Sequence, residues 1–569
     1  MAQTYPACRM KLLSGLEKVF PDCEPAADPA CTCFSVLRDD VLSFQAAFAG
    51  DNPGRVSARV RVETDLPVPV RVRQVGLVPV ALPCHLQTDD NYLRRAPGLY
   101  PDILEPLRGD KVSLIAGQWR ALWLDVETGP DTPAGDYAVT VALDAPDGTP
   151  LCAVRASVRV VGARLPAQRL IHTEWLHADC LADYYHAVPF STAHWRIVEN
   201  FIRLAARRGV NMMLTPAFTP PLDTAVGGER TTVQLVGVRR DGGKYVFDFR
   251  GLRRWVELCR SAGIRYIEMA HLFTQWGAKA APKVMATVDG EYRRLFGWET
   301  PAVGGEYTRF LQAYLPALTA RLREWGVADR TCFHISDEPG AAHLPDYLAA
   351  RDSVARYLKG YRVMDALSDY SLYERGAVTH PVPSIDHIGP FLAHGVPDLW
   401  TYYCTSQWDR VSNRFIAMPS VRNRILGVQL YKYRIAGFLH WGYNFYNAQF
   451  SRYPIDPYRT ADADGAFPAG DPFLVYPGPD GQPVESIRIM VLEQALHDMR
   501  ALELLESLAG RNFVTEAIDG DLDGGVTFTD YPKSAEYLLR LRGRVNREIE
   551  KRAEVCPPAG RGVKKAPAV

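Results

Sequence analysis

The sequence has no excess of charge of either sign and no long apolar run. Its 569 residues include 65 Lys+Arg and 65 Asp+Glu, so the chain has no general field that would attract nucleic acid or an anionic membrane. No stretch reaches the roughly 18 apolar residues that a membrane-spanning helix needs. Residues 1–29 lack the basic and then apolar pattern of a secretory signal. We therefore expect a cytoplasmic protein with neither nucleic acid nor a membrane as its partner.

The sequence also lacks the short motifs of several enzyme classes. It has no Walker A sequence, no G-x-S-x-G elbow, no H-E-x-x-H and no G-x-G-x-x-G after a strand. These absences argue against P-loop, serine-hydrolase, zinc-protease and dinucleotide chemistry. We expect no cofactor.

The eleven cysteines do not form a recognisable framework. Cys8, Cys23, Cys31 and Cys33 crowd the N-terminus, but their spacings do not give the paired C-x2-C units typical of zinc sites. A zinc cluster is therefore the weaker interpretation, and we expect free thiols in a reducing cytosol.

The length predicts two or three domains, and the first part of the chain has the pattern of a β-sandwich. Residues 1–39 are assigned to an N-terminal extension. Within 40–165 apolar and polar residues alternate, for example over 56–62, and Asp147-Gly148 is typical of a hairpin turn. This segment is predicted to be an antiparallel β-sandwich with an accessory role.

After residue 166 strand-like and helix-like segments alternate, which makes the chain a multidomain α/β protein. The eight candidate strands lie at 169–175, 210–216, 264–273, 331–336, 361–367, 384–388, 399–404 and 437–443. This alternation predicts a (β/α)8 TIM-like barrel over 166–508. Only about ten residues separate the sixth and seventh strands, which is short for a helical crossover, so one unit is degenerate or one strand is misplaced. Residues 509–569 are predicted to be a C-terminal helical extension, with a helix at 534–550 and a disordered tail.

The sharpest chemical signal is a pair of adjacent carboxylates, Asp337 and Glu338, at the end of the predicted fourth strand. His334 lies in the same segment and Pro339 follows it. Barrel enzymes carry their chemistry where strands end, and past the strand the backbone can aim both acids at one ligand. Mutual repulsion then raises one pKa and provides one acid and one anion, the pair that glycosidic cleavage needs. The alternative is a solvated turn that caps a helix.

A second cluster runs from His172 to Asp179. In a strand His172 and Glu174 share a face, which suits a metal site or a site for sugar hydroxyls. Buried polar groups that satisfy one another are at least as good an interpretation as a metal site, and we predict no metal. The other polar residues near strand ends, each more often structural than catalytic, are Glu268, His271, Asp365, Asp369, Asp386 and His387.

Aromatic residues gather at the same predicted strand ends. They are Trp175, Trp276, Trp400, Tyr402, Tyr403, Trp408, Trp441, Tyr443 and Tyr446. Each of them alone is more often part of a core. Together, beside a carboxylate pair, they predict a carbohydrate ligand, because sugar CH faces stack on aromatic rings while sugar hydroxyls need polar partners.

At these residues the sequence resembles glycoside hydrolase family 123. The resemblance rests on the segment 333–339 with its Asp-Glu pair, on 437–444, and on Tyr476-Pro477-Gly478 followed by Ser486-Ile487-Arg488. It covers residues 40–505, and the aromatic that the family has beside Trp441 is His440 here. Enzymes of this family are β-N-acetylgalactosaminidases, so the resemblance implies an exo-acting glycosidase of the β-N-acetylhexosaminidase type acting on a β-linked GalNAc glycan.

The resemblance further implies a retaining, substrate-assisted mechanism, in which the 2-acetamido oxygen attacks the anomeric carbon and forms an oxazolinium ion. Carried over, Asp337 orients the acetamido group and stabilises the cation, and Glu338 is the acid and then the base. Tyr402 or Tyr403 is a candidate donor to the acetamido carbonyl, and Trp441 is a candidate stacking platform. The substrate-binding candidates are Glu174, Trp175, His271, Tyr402, Tyr403, Trp441, Tyr443 and Asn444.

Three other functions remain open. One is a conventional retaining glycosidase with Glu338 as acid/base and a nucleophile from Glu174, Asp369 or another strand end. The second is a barrel that binds carbohydrate without turnover. The third is a metal-dependent enzyme using His172, Glu174 and His177.

Overall fold

The computed structural model describes residues 8–26, 32–51 and 55–555. Ten strands make up the first part of the chain. They are β1 (Cys8–Ser14), β2 (Cys33–Arg38), β3 (Val41–Gly50), β4 (Arg55–Thr64), β5 (Val70–Val80), β6 (Gly98–Pro106), β7 (Lys111–Ile115), β8 (Trp119–Glu127), β9 (Gly135–Asp144) and β10 (Pro150–Arg164).

These strands form two five-stranded sheets, in the orders β1-β3-β8-β5-β6 and β2-β10-β9-β4-β7. All pairs are antiparallel except β2 with β10. Phe44 and Leu122 of the first sheet share one apolar cluster with Val36 and Val141 of the second, because alternate residues of a strand point to the same side. The alternation and the Asp147-Gly148 hairpin are confirmed: β9 and β10 pair directly. Strands β1 and β2 lie in the segment assigned to an extension, and each joins a sheet.

A disulfide bond between Cys8 and Cys152 joins β1 to β10. The expectation that the cysteines are free thiols is therefore wrong for this pair, which are 144 residues apart in the sequence and whose proximity no local pattern reveals. Cys23 and Cys33 are free and exposed, and Cys31 lies outside the described residues. Disulfides are typical of oxidising compartments, so this bond counts against the cytoplasmic expectation.

Loss of this bond is expected to destabilise the two-sheet region. Cys8→Ser frees a loop of more than a hundred residues in the unfolded chain, and disulfides typically contribute about 2–4 kcal/mol to stability. We expect a lower unfolding midpoint in denaturant for Cys8→Ser and an unchanged one for Cys23→Ser. Alkylation of Cys8 and Cys152 in the folded, unreduced protein would contradict the bond.

The second part of the chain alternates short strands with helices. The strands are β11 (Ile171–Glu174), β12 (Met212–Thr215), β13 (Gly237–Asp241), β14 (Lys244–Asp248), β15 (Tyr266–Met269), β16 (Val284–Val288), β17 (Glu291–Phe296), β18 (Thr331–Phe333), β19 (Arg362–Ala366), β20 (His380–Val382), β21 (Trp400–Tyr402), β22 (Gly437–His440), β23 (Tyr476–Pro477) and β24 (Pro483–Val484). The helices are α1 (Ala178–Tyr184), α2 (Thr192–Arg207), α3 (Arg250–Ala262), α4 (Gly305–Glu324), α5 (Leu344–Val354), α6 (Tyr370–Glu374), α7 (Gly389–Ala393), α8 (Ser420–Lys432), α9 (Ile487–Ala509), α10 (Arg511–Asp519) and α11 (Ala535–Val555).

Eight parallel strands form a nearly closed barrel, in the order β20-β19-β18-β15-β12-β11-β22-β21. Between the two edge strands, a parallel bridge joins Ser384, which follows β20, to Tyr402 of β21. Side chains from strands all round the barrel, among them Met212, Met364 and Leu439, meet in one interior cluster. Seven of the eight predicted strands are confirmed in position. The sixth is wrong, because β20 precedes the predicted 384–388, where the chain has already turned.

The helices between the barrel strands differ greatly in length. α4 has 20 residues, whereas α6 and α7, on either side of β20, have five each. The degenerate part of the barrel is therefore the region around its sixth strand. Two further excursions leave the barrel after β12 and β15, and their strands form a four-stranded sheet in the order β14-β13-β16-β17, which the sequence analysis did not predict.

Buried ion pairs join the two-sheet region to the barrel region. Arg488, at the start of α9, donates to both carboxylate oxygens of Asp102 on β6 (2.9 and 2.8 Å). Arg73 on β5 and Arg208 after α2 both bind Glu485. These groups are almost fully buried, and charges in such positions persist only when they are paired.

The C-terminal part is helical, as predicted. The helix expected at 534–550 is α11, and the predicted disordered tail, the last dozen residues, lies outside the described residues. Within the described ranges, no helix combines the length and apolar character that a bilayer crossing needs.

Candidate active site

A cavity of about 290 Å³ opens where the barrel strands end. Its lining combines carboxylates, amides and aromatic rings, and consists of Trp175, Leu222, Asp223, Gln275, Trp276, Asp337, Glu338, Ala366, Tyr402, Cys404, Thr405, Leu439, Trp441, Gln449, Phe450 and Phe467. Both members of the predicted carboxylate pair are among these residues. A concave site with a few convergent polar groups is typical of small-molecule binding.

The Asp337–Glu338 segment follows β18 and is held by the loop after β15. Ser336 Oγ donates to the Thr274 carbonyl (2.8 Å), and the backbone N–H of Trp276 donates to the Asp337 carbonyl (3.0 Å). Glu338 has a φ of 45°, a left-handed conformation that is unfavourable for a residue with a side chain and that is often found at functional sites. This turn ends the strand alternation, so both carboxylates line the same cavity.

The two carboxylates have different surroundings. Burial, and then the negative charge of Glu338, raise the pKa of Asp337 well above its usual value. Glu338 is exposed, and it accepts a hydrogen bond from the Tyr402 hydroxyl (2.6 Å). The raised pKa favours the protonated form of Asp337, whereas the role assigned to this residue needs its anion.

The floor of the cavity is Trp175, which rests on a buried polar network. Its indole N–H donates to Glu268 (2.8 Å), and the same carboxylate accepts from Thr173 (2.5 Å) and His334 (2.7 Å). Burial alone would lower the pKa of His334, but its hydrogen bonds to Asp365 and Glu268 outweigh burial and raise this pKa to about 10. This shift favours the imidazolium form of His334, whose positive charge partly offsets the rise in the pKa of Asp337.

One side of the cavity is Trp441, which is fixed in orientation. Its indole N–H donates to Asp471 (3.0 Å), and its ring packs edge-on against Phe445 and Phe467 at 4.9 and 5.5 Å. Its neighbour His440 points to the other face of β22, where Arg414 donates to it (2.6 Å). The strand alternation thus keeps the histidine out of the cavity.

A third carboxylate, Asp223, lines the cavity and was not singled out from the sequence. It accepts the Phe450 N–H (2.9 Å), and its carbonyl accepts the Ser451 hydroxyl (2.7 Å). Burial raises the pKa of Asp223 to about 6, and the hydrogen bond from Phe450 limits the rise. The two loops that meet here are more than two hundred residues apart in the sequence, so no local signal predicts their contact.

Five of the predicted substrate-binding residues do not line the cavity. Glu174 faces away from the barrel interior and forms a bidentate pair with Arg414 (2.6 and 2.9 Å). Tyr403, next to Tyr402 on the opposite face, is buried in the main core. The others are buried around the site: His271 stacks on His334, Tyr443 donates to the Phe201 carbonyl, and Asn444 exchanges hydrogen bonds with the backbone of His177.

The two histidines of the metal hypothesis, His172 and His177, have other partners. His172 is 3.1 Å from Glu174, whereas His177 contacts Arg230 and the Trp441 carbonyl. His172, Glu174 and His177 therefore do not converge on one point. Among the residues that the structure describes, His271, His334 and Asp365 form one group with ligand atoms within 4.8 Å of one another. Both ring nitrogens of His334 have carboxylate partners, Glu268 and Asp365 (2.7 and 3.3 Å), whereas in the described part of the chain neither ring nitrogen of His271 has a hydrogen-bond partner.

Two carboxylates beside aromatic rings at the carboxyl ends of parallel strands define the site of a glycosidase. The family model described as glycoside hydrolase 123, catalytic domain, matches residues 175–505. The chain belongs to glycoside hydrolase family 123.

The fold is similar to that of a family 123 glycoside hydrolase from Clostridium perfringens, solved in work on glycolipid glycan hydrolysis. The TM-score is 0.72 at 14% identity, over 96% of this chain and 99% of that chain. A β-glucuronidase from Parabacteroides merdae matches with a TM-score of 0.31 at 10% identity, over 86% of this chain and 51% of that chain, a likeness too weak to carry an argument. No curated protein sequence matches the chain.

Proposed function

We propose that this glycoside hydrolase is an exo-acting β-N-acetylgalactosaminidase that works by substrate-assisted, retaining catalysis within a barrel of the (β/α)8 type. The observation that carries the proposal is that Asp337 and Glu338 line one cavity although they are adjacent in the chain. A conventional retaining pair stands on separate elements about 5–5.5 Å apart and includes an enzymatic nucleophile. Adjacent acids suit a reaction in which the substrate's own acetamido group is the nucleophile.

In the first step the acetamido oxygen bonds to the anomeric carbon while the bond to the glycosidic oxygen breaks. Glu338 donates its proton to the leaving oxygen, and Asp337 accepts the acetamido N–H and stabilises the cationic oxazolinium. In the second step Glu338 removes a proton from water, and the water oxygen bonds to the anomeric carbon. The bond between that carbon and the acetamido oxygen breaks, so the oxazolinium ring opens to the acetamide and the anomeric configuration is retained.

Substrate binding has to favour loss of the proton from Asp337. The acetamido N–H donor and the developing positive charge both favour an ionised Asp337. The Tyr402 hydroxyl, which donates to Glu338 without substrate, turns to donate to the acetamido carbonyl. Trp441 and Trp175 supply apolar surfaces for the sugar ring.

A second candidate function is conventional retaining hydrolysis with Asp223 as the nucleophile. The observation in its favour is that Asp223 is the other carboxylate lining the cavity in the described part of the chain. The earlier candidates for this role are less suitable, because Glu174 is paired with Arg414 and Asp369 caps α6 by accepting the Ser371 N–H.

Turnover of aryl glycosides tests the proposal. We expect the wild-type protein to hydrolyse the aryl β-GalNAc glycoside, to act more slowly on β-GlcNAc, and to leave β-Gal and β-Glc intact, because only the first two have the acetamido nucleophile. A thiazoline derivative of GalNAc, which resembles the oxazolinium, should inhibit competitively. Turnover of β-Gal without thiazoline inhibition would overturn acetamido participation and favour Asp223; binding without any turnover would overturn the enzymatic function.

A further inference from the structure

The mouth of the cavity has an aromatic pair that the reaction described above does not use. Trp276 is 38% exposed, and its ring meets that of Phe450 edge-on with centroids 5.9 Å apart. Both residues line the cavity, and both have a positive φ, 57° and 60°. An exposed indole on a strained backbone is unfavourable twice over, which suggests that the pair has a ligand.

The loop that carries Trp276 is anchored to the catalytic segment. The backbone N–H of Trp276 donates to the carbonyl of Asp337, and the Ser336 hydroxyl donates to the carbonyl of Thr274. Next to it, Gly277 has a φ of 113°, and a Cβ there would lie 2.9 Å from His343. The position of the indole relative to the carboxylates is therefore set by backbone contacts rather than by a mobile loop.

The loop that carries Phe450 is anchored by Asp223. The carboxylate accepts the Phe450 N–H, and the Phe450 carbonyl accepts the N–H of Ala225 (3.0 Å). A third contact joins the two sides, because Gln275 donates to the carbonyl of Thr224 (3.3 Å). The aromatic pair is thus held from both loops beside the cavity that contains Asp337 and Glu338.

The position of the pair selects its ligand. Glu338 is the exposed carboxylate and, as the proposed acid, lies beside the glycosidic oxygen. The leaving group therefore extends from Glu338 towards the cavity mouth, where Trp276 and Phe450 lie. We infer that these two residues are an aglycone subsite that stacks the first sugar ring of the leaving group. This inference rests on the proposed function.

The subsite predicts a preference for glycans over glycosides with small aglycones. Two substrates isolate it: a β-GalNAc disaccharide with a galactose aglycone, and trifluoroethyl β-GalNAc, whose aglycone has no ring. For Trp276→Ala we expect the ratio of kcat/KM for the disaccharide to kcat/KM for the trifluoroethyl glycoside to fall about tenfold, and Trp276→Phe should restore most of it. Phe450→Ala should lower the ratio as well.

The control is Tyr292→Ala, which removes an exposed aromatic ring on β17; we expect both kcat/KM values to be unchanged. Equal losses on the two substrates in Trp276→Ala would overturn the subsite and show that the indole only supports Asp337, and no loss on either would overturn it too. Failure of the wild-type protein to hydrolyse either substrate would instead overturn the proposed function, and the subsite with it.

Discussion

Replacing Glu338 by glutamine is expected to lower kcat/KM for a β-GalNAc disaccharide by about 10³-fold, in the middle of the range for general acid catalysis. A sugar alkoxide is a poor leaving group and needs a proton from Glu338. A dinitrophenyl β-GalNAc glycoside, whose leaving group needs no proton, should lose much less in its first step. Steady-state kinetics on the two substrates measure the difference directly.

Asp369→Asn is the matched control for this variant. It also neutralises a carboxylate, but Asp369 caps α6 and does not line the cavity, so we expect both substrates to be hydrolysed at wild-type rates. Equal losses on the disaccharide and the dinitrophenyl glycoside in Glu338→Gln would contradict its role as the acid.

Asp337→Asn is expected to reduce activity on both kinds of leaving group, by about 10²–10³-fold, because it removes the charge that stabilises the oxazolinium whatever group departs. The same substitution should stabilise the fold. The folded protein raises the pKa of Asp337, whereas the unfolded chain has a value of about 3.9. The stabilising effect of the bound proton is therefore complete below about pH 4 and is lost as the pH rises through the folded-state pKa.

The measurement is the unfolding temperature of wild type and Asp337→Asn at several pH values. The gain from asparagine should be small near pH 4 and should grow as the pH rises. A constant difference across this range, or a less stable variant at pH 8, would show that Asp337 is not a buried acid with a raised pKa. Wild-type activity of Asp337→Asn would refute its catalytic assignment.

The sequence predicts the barrel strands well where apolar runs are long, and fails where they are not. β20 contains only His380-Pro381-Val382, and proline discourages a strand assignment. The segment 384–388 contains two isoleucines, Ile385 and Ile388, but the Ser384 carbonyl accepts the backbone N–H of His387 and the chain turns there. The missed hairpin of β13 and β14 had a usable signal, because Asp241-Gly242-Gly243 separates two alternating runs.

The candidate site was predictable in its adjacent carboxylate pair and less so in Asp223 and the substrate contacts. A strand in a parallel barrel is buried on both faces, so its sequence does not reveal which face is the interior. His172 and Glu174 share the outer face of β11, whereas Trp175, one residue further, faces the cavity. Tyr402 and Tyr403 divide in the same way. Asp223 and Phe450 come from irregular loops that only the folded chain brings together.

The buried arginines between the sheets and the barrel have a consequence for how this enzyme can be shortened. A fragment that begins at residue 166 would lack Asp102, the ion-pair partner of Arg488, and would leave that guanidinium without a counter-charge. The fragment would also lose the pair that Arg73 forms with Glu485, so contacts that the two regions make with each other would be missing. The boundary that the sequence pattern indicates at residue 166 therefore does not separate two independently stable units. The smallest fragment that retains hydrolysis should contain both regions.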